Sequence, residues 1–545
     1  SGKGMNPSFL WDQVSYALGI YIPKNTDKDE EEEQKKVRRK FDSFVKKHVD
    51  IKNQINDPSF DAVCYFLEKW KENYDSNVSK IINDDPKNLK LFSHCGVFRI
   101  SGEETYVHQK DKIKKYYENN LLTENNDQKC QSLVSGEEVP VVKRHMTKIK
   151  GLGSDCVLIS YDKSAFASYG KSNGENAPIG EAESIKSHAA LNDLLGDKKR
   201  RISIGQTTYV FWGEEVSFND HFIAALRGQK QEDLPSVDHS RRILKDLSKG
   251  EETENIDPNM KFNIIGMKPN SFRLFIEHQY YGNVREIAGR IHQHFNDLEM
   301  CSNFKWIDSS CLSAEELIKE TSFPKGGYGS TENVSPLLQS SFTKSILLGK
   351  PYPRSFYQTI LTRCKIENLS SEKFRKDYHK SKYRRVAAIK AYLIRNARNS
   401  KNQHKIDFDK EFPVSLNEEH PNVCYQLGRL LSVFEQIQKS QATPNKTIAD
   451  RFMKYASERP LKAMPRMCKL HGDHMKKISK ESENIFLKKK ISSIINKIDE
   501  LPERASPKDQ GFFFLGYYHQ ETDWFTKKNK NNESNQQEKE TIAQE

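Results

Sequence analysis

The sequence predicts an α+β N-terminal domain with a largely antiparallel sheet, followed by an all-α helical bundle. Three observations carry that prediction. Between Lys90 and Gly282, short runs rich in β-branched and aromatic residues alternate with turn residues. Beyond the turn-rich segment 323–330, which holds Pro324, Gly326, Gly327 and Gly329, apolar residues recur at helical spacing almost to the end. No motif repeats at a fixed period, which excludes a solenoid. A chain of 545 residues exceeds one ordinary core and suits two globular parts. The change of period sets a boundary near Pro336, giving an α+β domain over 1–335, a bundle over 336–526 and a disordered tail over 527–545.

In chain order, an acidic run from Asp27 to Glu33 leads into a helix over 35–47, where Val37, Phe41, Phe44 and Val45 share one face. A second amphipathic helix spans 59–71, with Phe60, Val63, Cys64, Phe66, Leu67 and Trp70 largely on one side. Strands are predicted at 97–100, 156–161, 207–212, 262–266 and 272–276, with helices over 182–195 and 284–297 between them. The interval 230–259 is highly charged and lacks aromatics, so it reads as an exposed insertion. Helices follow at 338–348, 352–365, 383–397, 424–439, 447–457, 464–479 and 482–500. The clearest pattern is Leu427, Leu430, Leu431, Phe434 and Ile437. From Lys527 the chain is rich in Asn, Gln, Lys and Glu and offers nothing to bury.

Lysine and arginine outnumber aspartate and glutamate by 87 to 75, a net charge of +12 that suits a polyanionic partner. The stretch 371–410 alone has thirteen Lys and Arg against Glu372, Asp377, Asp407 and Asp409, a surplus of nine. The nine cysteines are scattered singly, with no CxxC pair, as expected of a reducing cytoplasm. No stretch approaches the roughly 20 apolar residues of a membrane span, so no membrane partner is expected and the expected location is the cytoplasm.

Metal-type spacings are sparse. Cys468, His471 and His474 follow one another at intervals of three, but a fourth ligand is missing and the set reads as a surface helix with two exposed histidines. His292, His294, Cys301 and Cys311 are a weaker set, since helical i, i+2 positions point apart. There is no G-x-S-x-G elbow, H-E-x-x-H helix or phosphate-binding P-loop. The expectation is a protein that is not an enzyme and needs no cofactor or metal.

Candidates for nucleic-acid contact are more numerous. Lys143, Arg144, His145, Lys148 and Lys150 precede Gly151 and Gly153, setting cations beside glycines that let backbone approach a phosphate. Tyr169, Lys171, Asn173 and Asn176 supply an aromatic, an amine and amides suited to bases, although Phe166 and Tyr169 at i, i+3 also suit a core. Arg200 and Arg201 end a basic run ahead of a predicted strand. Lys382, Arg384, Arg385 and Lys390, with Lys380, Arg395 and Arg398, ring a helix whose Val386, Ile389 and Leu393 face inward, as an exposed basic face on a bundle would. A solvated charged surface is the alternative at each of these places.

Several blocks of residues occur in order along the chain. They are Cys130-Gln-Ser-Leu-Val-Ser-Gly-Glu137 with Pro140, Arg144-His145, Ile149-Lys-Gly151, Ser160-Tyr-Asp-Lys-Ser-Ala-Phe-Ala-Ser-Tyr-Gly-Lys171, Asn176-Ala-Pro178 and Ile204-Gly-Gln-Thr-Thr208 with Val210-Phe-Trp212. Further on come Leu347-Leu-Gly-Lys-Pro-Tyr-Pro353, Lys390-Ala-Tyr-Leu393, Tyr425-Gln-Leu-Gly-Arg-Leu430 with Phe434-Glu-Gln-Ile437, and Gly511-Phe-Phe-Phe-Leu-Gly-Tyr-Tyr-His519. In these blocks the chain resembles the large subunit of the type I-C CRISPR Cascade, and the resemblance implies a non-catalytic subunit at the foot of a crRNA-bearing complex. Such a subunit recognises the protospacer-adjacent motif in target double-stranded DNA, supports R-loop formation and holds the displaced single strand. Guide pairing supplies the long-sequence specificity, a division of labour also seen in other effectors.

The implied partners are the crRNA-bearing backbone and crRNA-end subunits of Cascade, together with a recruited helicase-nuclease that cleaves. Relative to the family, sequence ahead of the block Pro7-Ser-Phe-Leu-Trp-Asp12 is expected to be lacking. The family also produces a small subunit from an internal start, for which Val414 lies at a matching place. A structural adaptor that touches DNA little is the alternative function, and a metal-dependent nuclease a remote third.

Overall fold

The computed structural model describes residues 7–21, 30–84, 95–117, 120, 129–142, 148–152, 156–161, 163–214, 217–228, 234–271, 273–302, 312–323, 330–366, 375–401, 403–441, 447–476, 478 and 481–542, without the side chains of 375–377, 441, 482–483 and 525–542. The chain divides into two compact units. The first comprises Ser1–Thr147 and Ile159–Ala189, the second Lys148–Leu158 and Ala190–Glu545.

In the first unit, strand β1 (Trp11–Gln13) precedes helix α1 (Glu30–Asp50), whose first turn carries Glu30, Glu31, Glu32 and Glu33 against the positive end of the helix dipole. Its inner face buries Val37, Phe41, Phe44, Val45 and His48. The His48 ring is neutral and structural: Nε2 accepts the Leu10 amide at 2.9 Å, Nδ1 lies 2.8 Å from the Phe44 carbonyl, and burial pulls the ring down to about 4. Helix α2 (Pro58–Glu72) starts where Asp57 accepts the amides of Ser59 and Phe60, with Pro58 preset for the first turn. Helix α3 (Tyr74–Asp84) follows, and β2 (Cys95–Val97) pairs antiparallel with β1. Phe9, Leu10, Phe41, Phe44, Phe60 and Leu67 form this unit's core. A short hairpin, β3 (Lys129–Gln131) with β4 (Glu138–Pro140), is tied to the segment before helix α4 (Glu181–Gly196) by Leu133 N–H to the Pro178 carbonyl at 2.9 Å.

The second unit takes over α4 from Ala190 and is built on one antiparallel sheet of four strands, β5 (Arg201–Ile204), β6 (Thr207–Gly213), β7 (Lys261–Asn270) and β8 (Arg273–Asn283), in sequential order. Between β6 and β7 run helices α5 (Ser217–Arg227) and α6 (Val237–Lys249). Helix α6 corrects the expectation of an exposed insertion over 230–259: Ser240, Ile243, Leu244 and Leu247 are buried, and Ile243, Leu244 and Leu247 join the main core. An amphipathic helix needs few apolar residues when they fall on one stripe.

Helix α7 (Val284–Leu298) is capped by the Asn283 side chain, which accepts the Glu286 amide. There follow α8 (Ala314–Lys319), α9 (Pro336–Leu347), α10 (Arg354–Ile366), α11 (Arg375–Arg398), α12 (Val423–Gln441), α13 (Ile448–Glu458), α14 (Pro460–Met475), α15 (Glu481–Ile495) and α16 (Pro507–Ile542). The protein is mainly helical, with small antiparallel sheets.

Sheet and helices share one core, so the chain does not part near Pro336 as its change of period suggested. Gly205, in the β5–β6 turn at φ +64°, lies so close to the Pro336 carbonyl that an added Cβ would sit 2.5 Å from it. Thr207 Oγ1 bonds Ser340 Oγ at 2.8 Å. Helix α16 also runs on to Ile542, through the stretch expected to be a disordered tail. Once a helix is nucleated each added residue gains a hydrogen bond, and Lys, Glu and Gln are good helix formers.

Candidate nucleic-acid interface

In the first unit, Ser168, Tyr169, Gly170 and Lys171 form a two-residue turn. The Lys171 amide donates to the Ser168 carbonyl at 2.9 Å, and the Ser168 amide returns a bond at 3.3 Å. Tyr169 has φ +53° and Gly170 φ +75°, the paired left-handed conformation of a type I′ turn. Glycine adopts it freely, but in a tyrosine it costs about 1–2 kcal/mol. Burial does not offset that cost, because Tyr169 is 100% exposed. The reading of Tyr169 as a core residue is therefore wrong.

The turn is braced from below. Asn176 Nδ2 donates to the carbonyls of Lys171 and Asn173, each at 3.2 Å, and a capping box joins Ser172 to Glu175. Asn173 is itself left-handed at φ +47°. Lys163 and Lys171, both exposed, lie on either side of the ring in sequence. The segment presents one aromatic face and cations on a stiff support, the combination that stacks on a base while meeting a phosphate.

In the second unit, Lys148, Ile149 and Lys150 run as an extended strip. The Asn192 side chain of α4 grips it like a neighbouring strand, with Oδ1 accepting the Lys150 amide at 2.9 Å and Nδ2 donating to the Lys148 carbonyl at 3.0 Å. Ile149 is fully buried, and alternation along extended chain sends Lys148 and Lys150 to solvent. Arg201 Nη1 reaches the Gly151 carbonyl at 3.5 Å, which brings a third cation to the same edge, and Lys198 and Lys199 are exposed in the preceding turn. Arg200 is instead engaged by Asp197 at 3.3 Å and Asp193 at 3.7 Å. A shallow cleft of about 490 Å³ adjoins this edge, lined by Gly151, Leu152, Ser203, Gln206 and Thr208 among others. Lys143, Arg144 and His145 lie outside the described residues.

The basic helix is a correction. On helix α11, Lys382, Arg384, Arg385 and Lys390 do not form an exposed basic face but turn to partners within the protein. Lys382 pairs with Glu521 and lies 4.4 Å from the Tyr517 ring centroid. Arg384 binds Glu316 at 2.5 Å, and Arg385 meets Glu320 at 2.9 Å with both side chains buried. Lys390 donates to the Glu299 carbonyl at 2.6 Å, and burial pulls its ammonium down to about 8. The partner acids lie 65 to 139 residues away in sequence, so a local charge count misses them. These cations are internal struts.

The suspected metal spacings do not converge among the described residues either, and Cys311 lies outside those residues. His471 stacks on Phe434 at 4.1 Å, buried far enough to fall to about 4, and is not an exposed histidine. His294 bonds Tyr352. Among the described residues, the metal-type donors that do converge are His221, His239 and Glu254, which sequence spacing did not single out. They lie on α5, on α6 and in the turn before β7, and much of that region read as a loop. No helix among the described residues is long and apolar enough to cross a membrane.

A search of curated proteins returns no match. A family model described as CRISPR-associated protein (Cas_Csd1) matches residues 1–525. With the match extending over both compact units, the chain belongs to the Cas_Csd1 family of CRISPR-associated proteins.

Proposed function

We propose that this protein is the non-catalytic large subunit of a type I-C crRNA-guided surveillance complex. It recognises the protospacer-adjacent motif of target DNA and supports R-loop formation, acting in the cytoplasm. The observation that carries the reading is Tyr169, a fully exposed aromatic held in a left-handed turn beside Lys171. Backbone strain of this kind, with no packing to offset it, is a hallmark of sites kept for contact with a ligand. The strip of Lys148, Lys150 and Arg201 adds sequence-independent attraction for phosphates. Guide-loaded partner subunits supply the long-sequence recognition, and a recruited helicase-nuclease supplies cleavage.

The adaptor reading has an observation of its own. Leu133 and Val134, adjacent in the β3–β4 turn, are 70% and 67% exposed, as residues that meet another subunit would be.

The test is binding of the reconstituted complex to matched duplexes, with and without candidate flanking motifs, across a salt series. Motif-dependent binding is expected, and reversing Lys148 and Lys150 to Glu is expected to lower the salt slope by about one for each cation lost. A complex that assembles but binds every duplex alike, with or without those charges, leaves the adaptor as the function.

A further inference from the structure

Three donors from separate elements meet beside the main core of the second unit. His221 lies on α5, His239 on α6, and Glu254 in the turn Thr253–Ile256 that precedes β7. His221 Nε2 is 2.9 Å from Glu254 Oε2, and His239 Nε2 is 2.8 Å from Glu254 Oε1. All three ligand atoms lie within 4.8 Å of one another. We propose that His221, His239 and Glu254 form a binding site for a divalent transition-metal ion of the zinc class, with an open coordination position.

The donor set suits such an ion. Imidazole nitrogens favour zinc and its neighbours over magnesium and calcium, and two histidines with one carboxylate leave a fourth position for water. A supporting contact is in place as well, since His221 Nδ1 lies 3.3 Å from Ser240 Oγ on α6. That contact orients the ring and leaves Nε2 to face the cluster. The three groups differ in access: the His221 side chain is 6% exposed, whereas His239 and Glu254 are 40% and 43% exposed, so an ion can enter from solvent and bind to a fixed inner ligand.

The carboxylate is positioned at a cost. Glu254 and Asn255 have φ of +51° and +61°, successive left-handed residues without glycine. The turn they make ends at Ile256, which is buried in the main core. An ion here joins α5, α6 and that turn, and its effect on the protein is that of a cross-link. This proposal is independent of any contact with DNA.

The experiment uses the full-length chain, stripped with a chelator and titrated with zinc chloride by calorimetry, together with thermal unfolding with and without the metal. Glu254→Gly removes the ligand while relieving the left-handed strain, so its fold is preserved, and His239→Gln removes a partly exposed ligand. The expected result is one zinc per chain in the parent, proton release on binding, a rise in Tm with zinc, and binding weakened at least about tenfold in either variant. Cys468→Ser is expected to bind as the parent does. Parent binding no stronger than that of Glu254→Gly overturns the proposal and leaves a hydrogen-bonded His–Glu–His cluster only. Stoichiometric binding that survives both variants but is lost in Cys468→Ser overturns it too, by moving the site to α14.

Discussion

Asp297 and Arg395 meet inside the protein at 3.2 Å, with 1% and 3% of their side chains exposed. Arg398 approaches the other carboxylate oxygen at 2.8 Å, and Gln293 donates to it at 3.0 Å. One carboxylate at the end of α7 therefore holds two cations of α11, while Arg395 also donates to the carbonyls of Lys350 and Ser345. Removing this acid leaves the buried Arg395 without a counter-charge. Asp297→Ala is expected to lose about 3–5 kcal/mol of stability in urea unfolding. A loss below about 1 kcal/mol would mean that the pair behaves as a solvated one.

Stability is expected to fall with acid through the buried histidines, of which His519 is the clearest. Its Nδ1 lies 2.9 Å from the Tyr425 hydroxyl, and complete burial pulls the ring from 6.5 down to about 3. A folded-state value below the unfolded one means that the unfolded chain takes up the proton first. The contribution is fully present above 6.5 and is lost as pH falls from there towards 3. The dependence on pH in that window is expected to be shallower in His519→Gln by up to one proton, about 1.4 kcal/mol per pH unit. Identical slopes for parent and variant would assign the acid sensitivity to other groups.

Helices α12 and α16 touch backbone to backbone. A Cβ on Gly428 would lie 2.0 Å from the Phe513 carbonyl oxygen, and one on Gly516 would lie 2.1 Å from that of Tyr425. Because the obstacle is backbone, side chains cannot yield and the helices must move apart. Gly428→Ala and Gly516→Ala are each expected to cost at least about 1–3 kcal/mol, the range for an overpacked core. Thermal melts that match the parent would show that the helices separate freely.

At Tyr169 the fold and the proposed contact can be tested apart. Asparagine tolerates the left-handed region, so Tyr169→Asn is expected to leave the melting temperature unchanged or raised. If Tyr169 stacks on a base, the same variant weakens single-strand binding by the complex by about 1–3 kcal/mol. Equal binding by parent and variant removes stacking as the role of this ring.

How much of this is legible in sequence depends on the distance between partners. Leu427, Leu430, Leu431, Phe434 and Ile437 mark α12 by their spacing, and all are buried to within 1%. The sheet is likewise visible in 207–212 and 262–266, because alternation and turn residues are local signals. Helix α6 was missed because its stripe of Val237, Ile243, Leu244 and Leu247 is thin beside the charges around it. The basic helix misled for a different reason. Its positive charge is plain in the chain, whereas Asp297, Glu316, Glu320 and Glu521, which balance it, come from three other regions of the sequence. At the candidate interface the cations and amides were legible but not their support, since neither the grip of Asn192 nor the left-handed turn follows from residue type alone.

The turn that carries Tyr169 also offers a place for a reporter. Two backbone hydrogen bonds and the Asn176 amide immobilise its main chain, while its side chain projects clear of the protein. A photoreactive amino acid at this position would couple to whatever molecule lies within the length of one side chain. A fluorophore there would tumble with the unit that bears it, so that its anisotropy follows the arrival of a partner in real time.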